Sequence, residues 1–294
     1  MDELYGAGVA LVTPFYSNGT IDFEGLEKLI DHQINGGMDY LVSLGTTGEV
    51  ATLSEIERKA VWAFTAEKVA GQVPLVAGIG GNNTTEVVHQ LRSFDTSGYS
   101  AVLSVSPYYN KPTQEGIFQH YKAVAAASPL PVIVYNVPGR TGGNVSAETT
   151  VRLAREVDNI IATKEASGSF DQFSKIMRDK PDDFLLISGD DPATLPMMAL
   201  GAVGIISVVG NAFPSEVAAL AKLCRDNNYV EARKIHSKLI RIIELCFVEG
   251  NPAGVKAILH QLGICGPTVR LPLAAASAEL EKAIRSELET TISA

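Results

Sequence analysis

The sequence predicts an α/β protein: a (β/α)8 TIM barrel followed by a small C-terminal all-helical appendage. Three observations carry this. Eight short apolar runs alternate with eight stretches of helical apolar spacing, the pattern of parallel strands joined by crossover helices. Of 294 residues, 46% are hydrophobic and 19% charged, enough for a large core and unlike a disordered chain. The competing open, doubly wound sheet wants a glycine-rich dinucleotide turn. The nearest candidate, Gly78-Ile79-Gly80-Gly81-Asn82-Asn83, has Asn83 where the third glycine belongs. The expected organisation is a barrel over 1–226 and a helical domain over 227–294.

The elements follow in order. Gly8 to Thr13 reads as a strand, then Phe23, Leu26, Ile30 and Ile34 mark a helix. Tyr40 to Leu44 is the second strand. Ser54 and Glu57 make a capping box, and the helix behind them is expected to turn Ile56, Ala60, Phe64 and Val69 inward. Pro74 to Ala77 precedes a helix through Val87, Val88, Leu91 and Phe94, and Ala101 to Val105 one through Ile117, Phe118, Tyr121 and Val124. Pro131 to Tyr135 leads to a helix capped at Ser146. Ile160 to Lys164 leads to one through Phe170, Phe173 and Ile176. Phe184 to Ile187 precedes a helix that Asp191 and Pro192 should open as cap and first-turn residue. Gly204 to Val208 precedes a helix from Ser215 to about Arg225. Three further helices follow: Tyr229 to Glu249, one opened by Asn251 and Pro252 and running to about Leu262, and Ala275 to Glu289.

Charge and cysteine usage exclude several classes. Net charge is −9, from 24 basic and 33 acidic residues with no basic cluster, which argues against nucleic acid or an acidic membrane surface as partner. No apolar run approaches the ~18 residues of a membrane span, and no secretory signal is visible. Cys224, Cys246 and Cys265 lie far apart and match no metal spacing or disulfide framework. A cytoplasmic protein with reduced thiols is expected.

Barrel enzymes keep their chemistry at the C-terminal ends of the strands. The unusual residues fall there: Gly45-Thr46-Thr47-Gly48-Glu49, Ser106-Pro107-Tyr108-Tyr109-Asn110-Lys111-Pro112, Tyr135-Asn136-Val137-Pro138-Gly139-Arg140-Thr141-Gly142, Lys164-Glu165-Ala166 and Ser188-Gly189-Asp190-Asp191. A lysine ending an apolar strand is out of place. Alone, Lys164 has a bland reading, an ammonium snorkelling to water. With hydroxyls and Arg140 on the same rim, the coherent chemistry is a Schiff base with a keto acid. A desolvated amine attacks the ketone while hydroxyls pass protons. Asp190 and Asp191 leave a metal-dependent barrel open as a rival, and a non-catalytic keto-acid sensor is another. No HExxH, CxxC or GxSxG motif is present.

Taken together, these five motifs closely resemble the dihydrodipicolinate synthase family, within the pyruvate-dependent N-acetylneuraminate lyase superfamily, over nearly the whole chain. The resemblance implies that Lys164 forms the imine with pyruvate and that Tyr135, Thr46 and Tyr109 form a proton relay. Thr47, Gly189 and Ile206 are implied as pyruvate-side contacts, and Arg140 as the receiver of the carboxylate of L-aspartate 4-semialdehyde. The implied reaction condenses these two substrates to 4-hydroxy-tetrahydrodipicolinate, toward diaminopimelate and L-lysine. It implies no metal or organic cofactor and a homotetramer of two tight dimers, Tyr109 reaching into the neighbouring site. Thr46 and Arg140 favour this reaction over that of a sister lyase or 2-keto-3-deoxy sugar acid aldolase. Asn82, Glu86, Tyr108 and Ala51 match the pocket in which sensitive members bind L-lysine. Val50, Glu55 and Arg58 depart from its usual serine and histidines, so weak or absent feedback inhibition is expected.

Overall fold

A computed structural model describes residues 2–293. Eight parallel strands close into a barrel in chain order: β1 Gly6–Ala10, β2 Tyr40–Ser43, β3 Leu75–Gly78, β4 Ala101–Val105, β5 Val132–Asn136, β6 Ile160–Glu165, β7 Leu185–Ser188 and β8 Gly204–Ser207. The TIM barrel expected from the alternation is therefore the fold. Helices α1 (Phe23–Asn35), α2 (Glu55–Val69), α3 (Thr84–Arg92), α4 (Gln114–Ala127), α5 (Pro138–Thr141, one turn), α6 (Ala147–Glu156), α7 (Phe170–Asp179), α8 (Thr194–Ala199) and α9 (Pro214–Arg225) follow the strands. Then come α10 (Tyr229–Phe247), α11 (Ala253–Gln261) and α12 (Ala278–Ser293). α10 packs on α8 and α9, and α11 and α12 pack on α10, so the last helices close one side of the barrel. Among the described residues no helix is long and apolar enough to cross a membrane.

Strand parity makes two cores. Val42, Val76, Ile133, Ala162, Ile187 and Ile206 fill the barrel interior, while neighbours such as Val134 and Leu186 face the helices. Local signals hold where backbone chemistry decides. Ser54 and Glu57 form the capping box of α2, and Ser146 caps α6. Asp22, Asn83, Thr113 and Ser169 also cap their helices through side-chain oxygens.

Other expectations are corrected. β1 begins and ends earlier than Gly8 to Thr13. In α2, Ile56 is 81% exposed and Ala60 is exposed, and the buried stripe is Val61, Trp62, Thr65 and Val69. Val69 is buried as expected, but Ile56, Ala60 and Phe64 follow a line one residue, about 100°, away from Val61 and Thr65. Thr65 hides the true one from a reading of apolar spacing, because its hydroxyl is satisfied by the Val61 carbonyl within its own helix. Phe170 is half-exposed at the start of α7, edge-on to buried Phe173. Neither Asp191 nor Asn251 caps a helix. The residues before α8 and α11 are Ala193 and Pro252, and both polar side chains are used elsewhere.

Candidate active site

Lys164 shares strand parity with Ala162, so it points into the barrel, and it pairs with Tyr135 on one side and Ile187 on the other. It is 4% exposed. Burial disfavours its ammonium and lowers its pKa to about 7, against a weaker opposing pull from Asp191 and with Arg140 adding to the fall. Its Nζ lies 4.2 Å from the centroid of the Tyr135 ring. Tyr135 is buried too, and desolvation raises its phenol to about 12, opposed by Arg140 and the Thr46 hydroxyl. A lysine that sheds its proton near neutrality thus stands beside a tyrosine that keeps its own. Gly189 makes room for this lysine: a Cβ there would come 3.0 Å from Lys164 Cγ, Lys164 Cε and Ala166 Cβ.

The next residue, Glu165, faces outward. It is wholly buried, and burial raises its pKa. Asn136 Nδ2 donates to both its oxygens at 3.0 Å, Gln172 Nε2 at 2.9 Å and the Ser167 N–H at 2.8 Å. Asn136 in turn accepts from the Val145 N–H at 2.9 Å. The network pins β5, β6 and α7 behind the two reactive residues.

Asp191 is buried between the strand ends rather than at a helix start. One oxygen accepts from the Ser207 hydroxyl, the other from the Val208 and Val209 N–H groups at 2.9 and 3.4 Å. Its carboxylate therefore clamps the turn after β8, beside Ile206, to the turn after β7. Both oxygens of Asp191 are thus engaged by the chain itself.

The loop after β2 brings Thr46 to Tyr135 and buries Thr47, whose hydroxyl accepts from Asn251 Nδ2 at 2.9 Å. Arg140, exposed on α5, donates through Nη2 to the Asn251 carbonyl at 3.3 Å. Leu44, Glu49, Tyr109 and Lys111, four of the six non-glycine residues with positive φ among the described residues, sit in the loops after β2 and β4. Backbone strain is thus concentrated at the rim.

A profile of the Dihydrodipicolinate synthetase family matches residues 3–293. The chain belongs to the dihydrodipicolinate synthetase family. It is 52% identical over 271 residues to a 4-hydroxy-tetrahydrodipicolinate synthase of Parabacteroides distasonis, covering 92% of this chain and 91% of that one. It superposes on dihydrodipicolinate synthase from Aquifex aeolicus with TM-score 0.94, at 41% identity and 98% coverage of both chains. A further match is the chloride-inhibited dihydrodipicolinate synthase of Acinetobacter baumannii complexed with pyruvate, with TM-score 0.95, 37% identity and 98% and 99% coverage.

In this member of the family, Lys164, Tyr135, Thr46, Gly189 and Ile206 meet at the barrel mouth. Tyr109 does not join them within the chain: it is 87% exposed, on a backbone with φ of 72°. Of the residues matched to a lysine pocket, Asn82 Nδ2 donates to the Tyr108 carbonyl at 3.1 Å and Tyr108 is half-exposed, while Ala51 and Glu86 are exposed. Motif reading missed three things: Asn251, the clamp by Asp191, and a buried ion pair between Glu49 and Lys256. Asn251-Pro252 and Asp191-Pro192 both look like helix openings, which concealed their other use. Lys256 lies at an apolar helix position, a signal that was available in the sequence.

Proposed function

We propose that this protein condenses pyruvate with L-aspartate 4-semialdehyde to 4-hydroxy-tetrahydrodipicolinate through a Schiff base on Lys164. The carrying observation is a buried lysine with a pKa of about 7 beside a buried, protonated tyrosine at adjacent strand ends. The amine lone pair attacks pyruvate C2 to give a carbinolamine. The departing hydroxyl takes a proton from Tyr135, leaves as water, and the imine remains. Loss of a methyl proton yields the enamine, whose terminal carbon attacks the aldehyde while its oxygen gains a proton. The semialdehyde's own amine then attacks C2, releases Lys164 and closes the ring.

In this reading Thr46 relays protons to and from Tyr135, with Tyr109 supplied by a neighbouring subunit of a homotetramer. Thr47 and the backbone at Gly189 and Ile206 hold pyruvate. Arg140, with its planar fork, takes the carboxylate of the semialdehyde. The chemistry needs no metal or organic cofactor, because the iminium itself is the electron sink, and the reaction belongs in the cytoplasm.

The test is borohydride trapping with pyruvate, peptide mapping, and consumption of the semialdehyde in competition with N-acetylmannosamine and glyceraldehyde. An adduct on Lys164 with turnover of the semialdehyde, lost in Arg140→Ala, is the expected result. Turnover of a sugar aldehyde alone would keep the Schiff base and overturn the substrate.

A further inference from the structure

The loops that carry Thr47 and Arg140 do not complete their hydrogen bonding within the barrel. Both turn to one residue, Asn251, which lies 204 positions from Thr47 and 111 from Arg140 in sequence. The segment holding Asn251 is itself fixed to the first of those loops. Glu49, two residues past Thr47, accepts from Lys256 Nζ at 2.5 Å on one oxygen and from the Arg270 N–H at 2.9 Å on the other. Lys256 also donates to the Thr268 carbonyl at 2.8 Å, and the side chains of the ion pair are wholly buried.

We propose that Asn251 is a positioning residue of the active site, which turns the Thr47 hydroxyl toward the carboxylate of the keto acid while its carbonyl steadies Arg140 for the second substrate. A hydroxyl has one hydrogen and two acceptor sites. Asn251 Nδ2 fills an acceptor site of Thr47, so the hydrogen is left free to donate to the substrate. Without that partner the hydroxyl can rotate, and the energy of one hydrogen bond is lost from pyruvate binding. The segment 251–270 is then part of the substrate-binding machinery, not only cover for the barrel. This inference rests on the reading of Thr47 and Arg140 under Proposed function.

The test is a double-mutant cycle in the full-length protein, with steady-state kinetics in both substrates. Asn251→Ala keeps the backbone carbonyl that Arg140 uses and removes only the link to Thr47. It should raise KM for pyruvate about ten- to a hundredfold, the equivalent of one hydrogen bond to a charged group. KM for the semialdehyde and kcat at saturation should move less than about threefold. Thr47→Val and the double variant should then agree within about twofold in KM for pyruvate, because Asn251 acts through Thr47. An unchanged KM in Asn251→Ala, or effects that multiply in the double variant, would overturn the proposal. If Asn251→Ala does not fold, Asn251→Asp serves instead. The near-isosteric carboxylate draws the Thr47 hydrogen toward itself, so the same rise in KM is expected and its absence overturns the idea. Failure of the wild type to trap pyruvate on Lys164 would sink the proposed function as well. Trapping in the wild type with a multiplicative cycle would sink this inference alone.

Discussion

In the proposed reaction Lys164 can act as a nucleophile only in so far as burial strips its proton. At its ordinary value near 10.4, roughly one lysine in 2,500 is neutral at pH 7, whereas at about 7 about half are. The sign is fixed by the cause: desolvation penalises the ammonium, so raising the pH through 7 increases the reactive form. The rate of borohydride-trappable imine formation at subsaturating pyruvate should rise about tenfold per pH unit below pH 6 and level off above pH 8. A rate still climbing between pH 8 and 10 would mean that the lysine titrates near its ordinary value. Gly189 is the second residue at which a single atom matters. Its backbone is not in the left-handed region, so Gly189→Ala introduces no strain of that kind. The added methyl meets Lys164 and Ala166 at 3.0 Å and has to displace the lysine. A misplacement of about 1 Å at a reacting atom costs on the order of a hundredfold, and here the neighbours have to give by a few tenths of an ångström. We expect kcat/KM to fall severalfold, to about tenfold at most, with a melting temperature within a few degrees of wild type. Wild-type kinetics would show that the lysine tolerates the shift.

At the scale of elements, the barrel is tied to its last helices by charge as well as by apolar packing. Glu49 sits at φ of 53°, a conformation costly for glutamate, and its carboxylate is held by Lys256 and the Arg270 N–H. A buried pair adds little net stability over a hydrophobic replacement, but removing one partner strands the other charge at about 3–5 kcal/mol. Lys256→Met should therefore lower the melting temperature by roughly 5–10 °C, followed by circular dichroism. Glu49→Leu/Lys256→Met should recover most of that loss; equal melting temperatures for the single and double variants would refute a stranded charge. This pair also shows where the sequence stops being legible. Strands, helices and side-chain caps such as Ser54 and Ser146 are local, and spacing reveals them. So are the rim residues, because every strand end of a barrel opens on the same face. What escapes is the partner of a polar side chain across the fold. Asp191 and Asn251 precede prolines and match a helix start, yet Ser207 and Thr47 claim them from 16 and 204 residues away. Ile56 fails for a related reason. Two stripes 100° apart on α2 both carry apolar residues, and only the packed barrel selects the one containing Thr65.

At the scale of the whole molecule, the exposed loop after β4 is the part that a single chain leaves unexplained. Its backbone is held in place: Asn110 Nδ2 donates to the Asn82 carbonyl at 3.0 Å, and the Tyr109 N–H donates to the Thr141 carbonyl at 3.3 Å. Tyr109 nonetheless stands in solvent, while Tyr135 is buried and Thr46 half-buried in the barrel mouth. A fixed loop presenting a large aromatic outward is suited to a surface of another copy. A separate expectation concerns feedback control. Arg58 stands where the resemblance puts a histidine, and its cation would oppose the ammonium of an inhibitory lysine, so L-lysine at millimolar concentration should leave at least half of the activity. Complete inhibition at that concentration would show that the charge is compensated. The role of Tyr109 can be tested by mixing defects. Tyr109→Ala subunits keep the nucleophile and lose the tyrosine, and Lys164→Ala subunits keep the tyrosine and lose the nucleophile. Each variant alone should be nearly inactive. If Tyr109 serves the neighbouring site, a mixed dimer holds one complete site, built from Lys164 of one chain and Tyr109 of the other. Co-expressed and purified as mixed oligomers, the two should regain activity well above the sum of the separate preparations. If Tyr109 serves its own chain, every site in the mixture lacks one group, and activity stays at the level of the parents.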